Sequence, residues 1–73
     1  MEITFNQELW NKLTPREVEI IRLSAQGQGC KGIAERLDST ERGIQASRHH
    51  LIKKVQAGNM PQVVYMATKG GII

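Results

Sequence analysis

The sequence has little cysteine and no long apolar run. Its 73 residues include one cysteine, Cys30, so no disulfide can form within the chain, and no group of cysteine and histidine residues has zinc-site spacing. No apolar stretch approaches the roughly 20 residues of a membrane span, and no basic segment precedes an apolar run as in a signal peptide. We therefore expect a soluble, cytoplasmic protein without a bound metal.

The chain is also short. A sequence of 73 residues forms one small domain, which leaves too little polymer to enclose a deep substrate pocket. An enzyme is therefore not expected, and no cofactor is implied. A hydrophobic core of this size rarely supplies more than about 3 to 5 kcal/mol, and without disulfides or a metal, oligomerisation is the remaining source of stability.

Acidic residues are absent from the second part of the chain. Residues 1–41 carry five basic and seven acidic side chains, a net charge of −2, whereas residues 42–73 carry five basic side chains and no acid, a net charge of +5. Such segregation favours a surface that binds a polyanion. The alternative is a solvated helix that happens to be basic, and charge alone does not separate the two.

Four helices are predicted from caps and apolar spacing. The first has Thr14 as N-cap with Glu17 three residues later, and Gly27 suits the left-handed position at its end. The third would be capped by Ser39 or Thr40. The bounds of the four helices are predicted as residues 15–26, 30–37, 41–56 and 61–69. Two short helices joined by a few polar residues, the second one basic on one side, outline a helix-turn-helix.

The third predicted helix has two different faces. At about 100° per residue, Ile44, Leu51 and Val55 form a buried seam, with Arg48 at its margin extending its charge outward. The opposite face has hydrogen-bond donors, short side chains and positive charge, and it is formed by Arg42, Gln45, Ala46, His49, His50 and Lys53.

That second face fits the major groove of DNA. Gln45 can pair with the edge of adenine, His49 can donate to a guanine acceptor, and Ala46 can approach closely and touch a thymine methyl group. Cations that flank the groove contribute affinity without sequence information, and they are Arg42, His50, Lys53 and Lys54. The alternative is that all of these are ordinary exposed polar residues.

The two adjacent histidines do not have the geometry of a metal site. His49 and His50 diverge by about 100° on a helix, whereas helical zinc pairs are spaced i, i+4, and no carboxylate lies nearby to orient either ring. Cys30 is interpreted as a structural thiol rather than a redox switch.

Several segments together resemble one known family. "LTPREVEIIRLSAQG", "KGIAERL" and "GI...RHHLIKK", followed by the tail "GGII", resemble the LuxR/GerE-type helix-turn-helix domain of bacterial transcription regulators. The resemblance runs without gaps from Leu13 to Ile73. It implies an N-terminal extension over residues 1–12, where apolar spacing favours a short helix at 6–12. Residues 13–73 would form an all-α, four-helix LuxR-type helix-turn-helix domain that binds DNA at the bacterial nucleoid as a homodimer, with the third helix in the major groove.

The resemblance also assigns roles to individual positions. Base contacts fall on Gln45, Ala46 and His49. Phosphate contacts fall on Lys31, Arg42, His50, Lys53 and Lys54. The outward positions of the fourth helix are implied to form a twofold dimer contact, the alternative being simple surface placement, and they are Val64, Tyr65 and Thr68.

The chain departs from the family's usual pattern at several positions. Relatives commonly have Gly and an aliphatic residue where this chain has Asp38 and Ser39, and Thr where it has Gly43, which costs about 1 kcal/mol of helix propensity relative to alanine. Most relatives also carry an N-terminal receiver or small-molecule domain. Because few residues precede Leu13, we expect a stand-alone, GerE-like form whose activity is set by its own concentration or by a protein partner.

A second hypothesis belongs to another class of protein. A small adaptor or antiactivator can keep the helix-turn-helix fold and bind another regulator protein, here through Phe5, Leu9 and Trp10. The acid-free face of the third helix disfavours it, because a surface that no longer meets phosphate gains little from excluding acids. A DNA-binding fragment of a recombinase or sigma factor is a weaker third hypothesis.

Overall fold

A computed structural model describes residues 6–73. They form five helices and, within this range, no strand: α1 (Gln7–Trp10), α2 (Pro15–Ala25), α3 (Cys30–Arg36), α4 (Glu41–Lys54) and α5 (Met60–Lys69). The four helices predicted for the domain are α2 to α5, each with both ends within two residues of the predicted bounds, and α1 lies in the segment where a short helix was favoured. The all-α prediction is confirmed.

Local hydrogen bonds explain where the helices begin. The Thr14 hydroxyl accepts from the Glu17 N–H at 3.1 Å, and the Glu17 carboxylate accepts from the Thr14 N–H at 2.8 Å, which is the predicted capping box. Of the two candidate caps of α4, Thr40 fills the position and accepts from the Gly43 N–H at 3.0 Å. The cap of α5 is Asn59, which had not been predicted.

The helices α2 to α5 end in the same way. Each is followed by a residue with positive φ and then by a backbone N–H that bonds back into the last turn, as in a Schellman motif. The residues with positive φ are Gly27 (86°), Asp38 (53°), Gln56 (59°) and Gly71 (74°). The left-handed position predicted for Gly27 is therefore confirmed. Glycine, which the family resemblance leads one to expect at the position of Asp38, would adopt this geometry without a Cβ penalty.

The left-handed conformation of Asp38 leads to a stability prediction. Asp38→Gly is expected to raise the free energy of unfolding by about 1 kcal/mol, because glycine pays no Cβ penalty at φ 53°. Asp38→Ala also removes the carboxylate, which is unfavourable beside a helix C-terminus, but keeps the Cβ and is expected to give no such gain. Urea denaturation of both variants compares them, and an equal gain in both would mean that the charge, rather than φ, is responsible.

One hydrophobic core joins all five helices. The predicted seam of α4 is confirmed, because Ile44 and Leu51 are fully buried and Val55 is 1 % exposed. Helix α3 packs against α4, and α2 packs against α5. The other buried apolar residues are Trp10, Ile20, Ile21, Leu23, Ile33, Ala34, Met60, Val63, Met66 and Ala67.

The adaptor hypothesis requires the apolar residues of the N-terminal segment to be exposed to a partner protein, and the structure meets this requirement only in part. Phe5 lies outside the described residues. Leu9 is half-buried against the core, and Trp10 is 3 % exposed and belongs to the core. The prediction that Trp10 offers its surface to a partner protein is therefore wrong. Apolar spacing alone cannot distinguish a helix that covers its own domain from one that awaits a partner.

Candidate nucleic-acid interface

One side of α4 carries the residues predicted to meet DNA. All are exposed and together they line a single shallow surface, called here the α4 face: Arg42, Gln45, Ala46, His49, His50 and Lys53. No acidic residue lines this surface. The helical spacing in the sequence therefore predicted the same six residues that share one surface in the structure.

The α4 face is held in place from the opposite side of the helix. Ile44 and Leu51 anchor α4 in the core, and the Thr40 cap fixes where its first turn begins. The core contacts leave the side chains of the α4 face pointing away from the domain. An exposed, basic and rigidly mounted helix is the element that helix-turn-helix proteins insert into the major groove.

Lys31 lies apart from the α4 face. It is exposed in the first turn of α3, which packs against α4, but it does not line the surface formed by the six residues. Because α3 packs against α4, Lys31 lies on the helix next to the one that carries the α4 face.

The side chain of Arg48 has a different environment from the outward one that was predicted. The side chain is only partly exposed, and its guanidinium reaches α3. Nη1 donates to the Cys30 thiol sulfur at 3.0 Å, and Nε is buried without a hydrogen-bond partner. Arg48 therefore ties the middle of α4 to the first residue of α3, and the thiol serves as its acceptor. A contact between residues 18 apart in sequence has no helical periodicity that would reveal it.

Lys54 forms an ion pair with Glu17, which was not predicted from the sequence. Its ammonium lies 2.8 Å from Glu17 Oε1, and the two side chains are only 25 % and 14 % exposed, respectively. The sequence assigned Glu17 to the α2 capping box alone. The same oxygen also serves Lys54, 37 residues later, and so joins the start of α2 to the last turn of α4.

The surroundings of Glu17 keep its carboxylate charged. Partial burial raises the pKa of Glu17, but hydrogen bonds from the Lys54 side chain and the Thr14 backbone, together with the charge of Lys54, outweigh burial. The net result is a pKa below the ordinary value of 4.5. At neutral pH the pair therefore consists of a carboxylate and an ammonium that neutralise each other.

The residues predicted for a dimer contact lie on α5. Tyr65 is exposed, Val64 is half-buried beside the core, and Thr68 is exposed. The Thr68 hydroxyl donates to the Val64 carbonyl at 2.9 Å, and the Lys69 ammonium lies 5.8 Å from the centre of the Tyr65 ring. Tyr65 is the one large apolar side chain of residues 6–73 that is predominantly exposed.

Neither a cluster of metal ligands nor a membrane-spanning helix occurs in the part of the chain that the structure describes. No three His, Cys, Asp or Glu side chains lie close enough together there to hold a metal ion. None of its helices is long and apolar enough to cross a membrane.

The fold and the α4 face together define a helix-turn-helix domain. Residues 11–67 match the profile of the family described as bacterial regulatory proteins, luxR family. The chain belongs to this family, and it is a LuxR-family DNA-binding domain of a transcription regulator. The members of the family are DNA-binding regulators rather than enzymes.

Individual relatives support the same assignment. The nitrate/nitrite response regulator protein NarL of Escherichia coli K12 is 48 % identical over 46 residues, which cover 63 % of this chain and 21 % of NarL. The oxygen regulatory protein NreC of Staphylococcus epidermidis RP62A is 32 % identical over 68 residues, 93 % of this chain and 31 % of NreC. The uncharacterized transcriptional regulatory protein YxjL of Bacillus subtilis 168 is 31 % identical over 70 residues, 96 % of this chain and 32 % of YxjL.

The chain therefore spans about a third or less of the length of these relatives. No solved structure matches it.

Proposed function

We propose that the protein recognises a specific DNA sequence as a homodimer and regulates transcription, with α4 in the major groove. The observation that carries this proposal is the α4 face, on which six side chains suited to DNA share one exposed surface without an acid. An α-helix fits the major groove, where each base pair presents a distinct pattern of donors and acceptors. Binding to bacterial DNA would place the protein at the nucleoid, in the cytoplasm.

Three neighbouring side chains on the α4 face are proposed to read the bases. Gln45 has both a donor and an acceptor and can form a bidentate contact with adenine, and His49 can donate to guanine. Ala46 lies on the same exposed surface, and its small side chain allows the helix to approach the bases closely. All three lie in the second and third turns of α4.

The phosphate contacts are proposed to surround these three residues. Arg42, His50 and Lys53 belong to the α4 face, and Lys31 lies exposed on the adjoining α3. Cations in these positions would neutralise backbone phosphates and set the orientation of the domain without reading sequence. Lys54 was predicted to share this role, but its ammonium is paired with the Glu17 carboxylate.

The dimer contact is proposed to form through α5. Tyr65 is exposed and Val64 is half-buried, which provides a small apolar surface beside the exposed Thr68. Tyrosine is enriched in protein interfaces, and a twofold contact brings the same patch of both subunits together. Such a dimer would present two α4 helices to successive major grooves.

Selection from random oligonucleotides with the purified protein tests this function. We expect a palindrome whose half-sites lie about 10 bp apart, which is the spacing that a twofold helix-turn-helix dimer requires. Binding to the selected site should weaken steeply with salt, with a log–log slope of several units, because many phosphate contacts release counterions. Absence of any enriched sequence together with a flat salt response would reject the proposal, and recovery of a regulator protein in stoichiometric amount would favour the adaptor hypothesis.

A further inference from the structure

Two consecutive lysines at the end of α4 have opposite surroundings. Lys53 is exposed and belongs to the α4 face. Lys54 is half-buried and its ammonium contacts the Glu17 carboxylate. In the sequence the two lysines are equivalent candidates for phosphate contact, whereas in the structure Lys54 has an acidic partner and Lys53 is exposed to solvent.

The Glu17 carboxylate connects the start of α2 with the last turn of α4 through a single oxygen. Its Oε1 accepts from the Thr14 backbone N–H and from the Lys54 ammonium, both at 2.8 Å. The other ion pair among residues 6–73, between Arg22 and Glu19, lies within α2 and joins no two elements. The pair of Glu17 and Lys54 is therefore the ionic contact that ties the end of α4 to the rest of the domain.

We propose that Glu17 is a positioning residue for DNA binding, which fixes the last turn of α4 and withholds the Lys54 ammonium from phosphate. The inference rests on the proposed function of the α4 face. If Lys54 turned to a phosphate, it would leave a carboxylate that is only 14 % exposed without its counter-charge. A half-buried carboxylate without its counter-charge is unfavourable, so the transfer of Lys54 from Glu17 to a DNA phosphate is resisted.

Withholding one cation has a measurable consequence. Each cation that neutralises a phosphate releases counterions. It adds about 0.9 to the magnitude of the slope of log binding constant against log salt concentration, which is called here the salt slope. Lys54 is already neutralised by Glu17 and adds nothing. Because phosphate contacts carry no sequence information, Glu17 lowers the affinity for all DNA sequences alike.

The salt dependence of binding to a DNA duplex of arbitrary sequence, measured with the full chain, tests the inference. Lys53→Gln is the matched control and should lower the slope by about 0.9 per chain, whereas Lys54→Gln should leave it unchanged. Glu17→Gln should raise the slope by about 0.9 per chain, because glutamine can still complete the capping box while Lys54 is released. The double variant Glu17→Gln/Lys54→Gln, a neutral pair of similar shape, should return to the original slope.

Two outcomes would overturn the inference: a drop in slope for Lys54→Gln equal to that for Lys53→Gln, or no rise for Glu17→Gln. Amide hydrogen exchange without DNA separates its failure from that of the proposed function. The N–H of Val55, which donates to the Leu51 carbonyl, should exchange faster in Glu17→Gln and in Lys54→Gln, and no faster in the double variant than in either one. Additive effects would refute the connection between Glu17 and Lys54 even if the chain binds no DNA.

Discussion

Replacing Trp10 with alanine is expected to lower the free energy of unfolding by about 3 to 5 kcal/mol. The indole is 3 % exposed and lies in the same core as the residues of α2 to α5. Because a core in a chain of this size supplies only about 3 to 5 kcal/mol in total, we expect the variant to be largely unfolded at 25 °C. Far-ultraviolet circular dichroism in urea measures the loss, since the substitution removes the only tryptophan.

The control is Tyr65→Ala, the other large aromatic substitution available in residues 6–73. Tyr65 is 51 % exposed, so the stability of the monomer should change by no more than about 0.5 kcal/mol. The proposed α5 dimer predicts that the same variant has weaker self-association, which sedimentation measures. If Trp10→Ala were as stable as the original protein, α1 would not be part of the domain, and its apolar surface would again be open to a partner.

Replacing Gln45 with alanine is expected to produce the largest change in sequence recognition. A bidentate contact with a base contributes about 1 to 3 kcal/mol of discrimination, and a symmetric dimer loses it in both half-sites. Binding to the selected site should therefore weaken much more than binding to unrelated DNA. Competition titrations at one fixed salt concentration give both affinities, because values at different salt are not comparable.

Lys53→Ala is the matched variant on the same face. It should weaken binding to all sequences by a similar factor and leave the preference intact, because a phosphate contact carries no base information. Lys12→Ala makes the same change in charge at an exposed residue before α2 and controls for net charge. A Gln45→Ala variant that weakens all sequences equally would show that this residue does not read bases.

The positions of the helices were predictable because their signals are local. The capping box of Thr14 and Glu17, the glycine after α2 and the two faces of α4 all depend on residues that lie within a few positions of one another. Hydrogen bonds and side-chain spacing at that range are determined by the helix itself. The composition of the α4 face followed from the same periodicity, and the family from motifs in the same segments.

The role of individual charged residues was less predictable. Arg48 and Lys54 both belong to the basic helix, and periodicity alone gives either of them an outward charge. In the structure Arg48 donates to Cys30 and Lys54 pairs with Glu17. These partners lie on other helices, so the contacts exist only because α2 and α3 pack against α4 at particular angles and distances.

The sequence by itself therefore determined the helices, the apolar seam of α4, its opposite basic face and the family to which the protein belongs. Only the tertiary structure decided that Trp10 is a core residue and that Lys54 has a carboxylate partner 37 residues away. The physical reason is the range of the interactions. Caps and helix faces depend on neighbours three or four residues apart, whereas burial and ion pairing between helices depend on how separate elements pack.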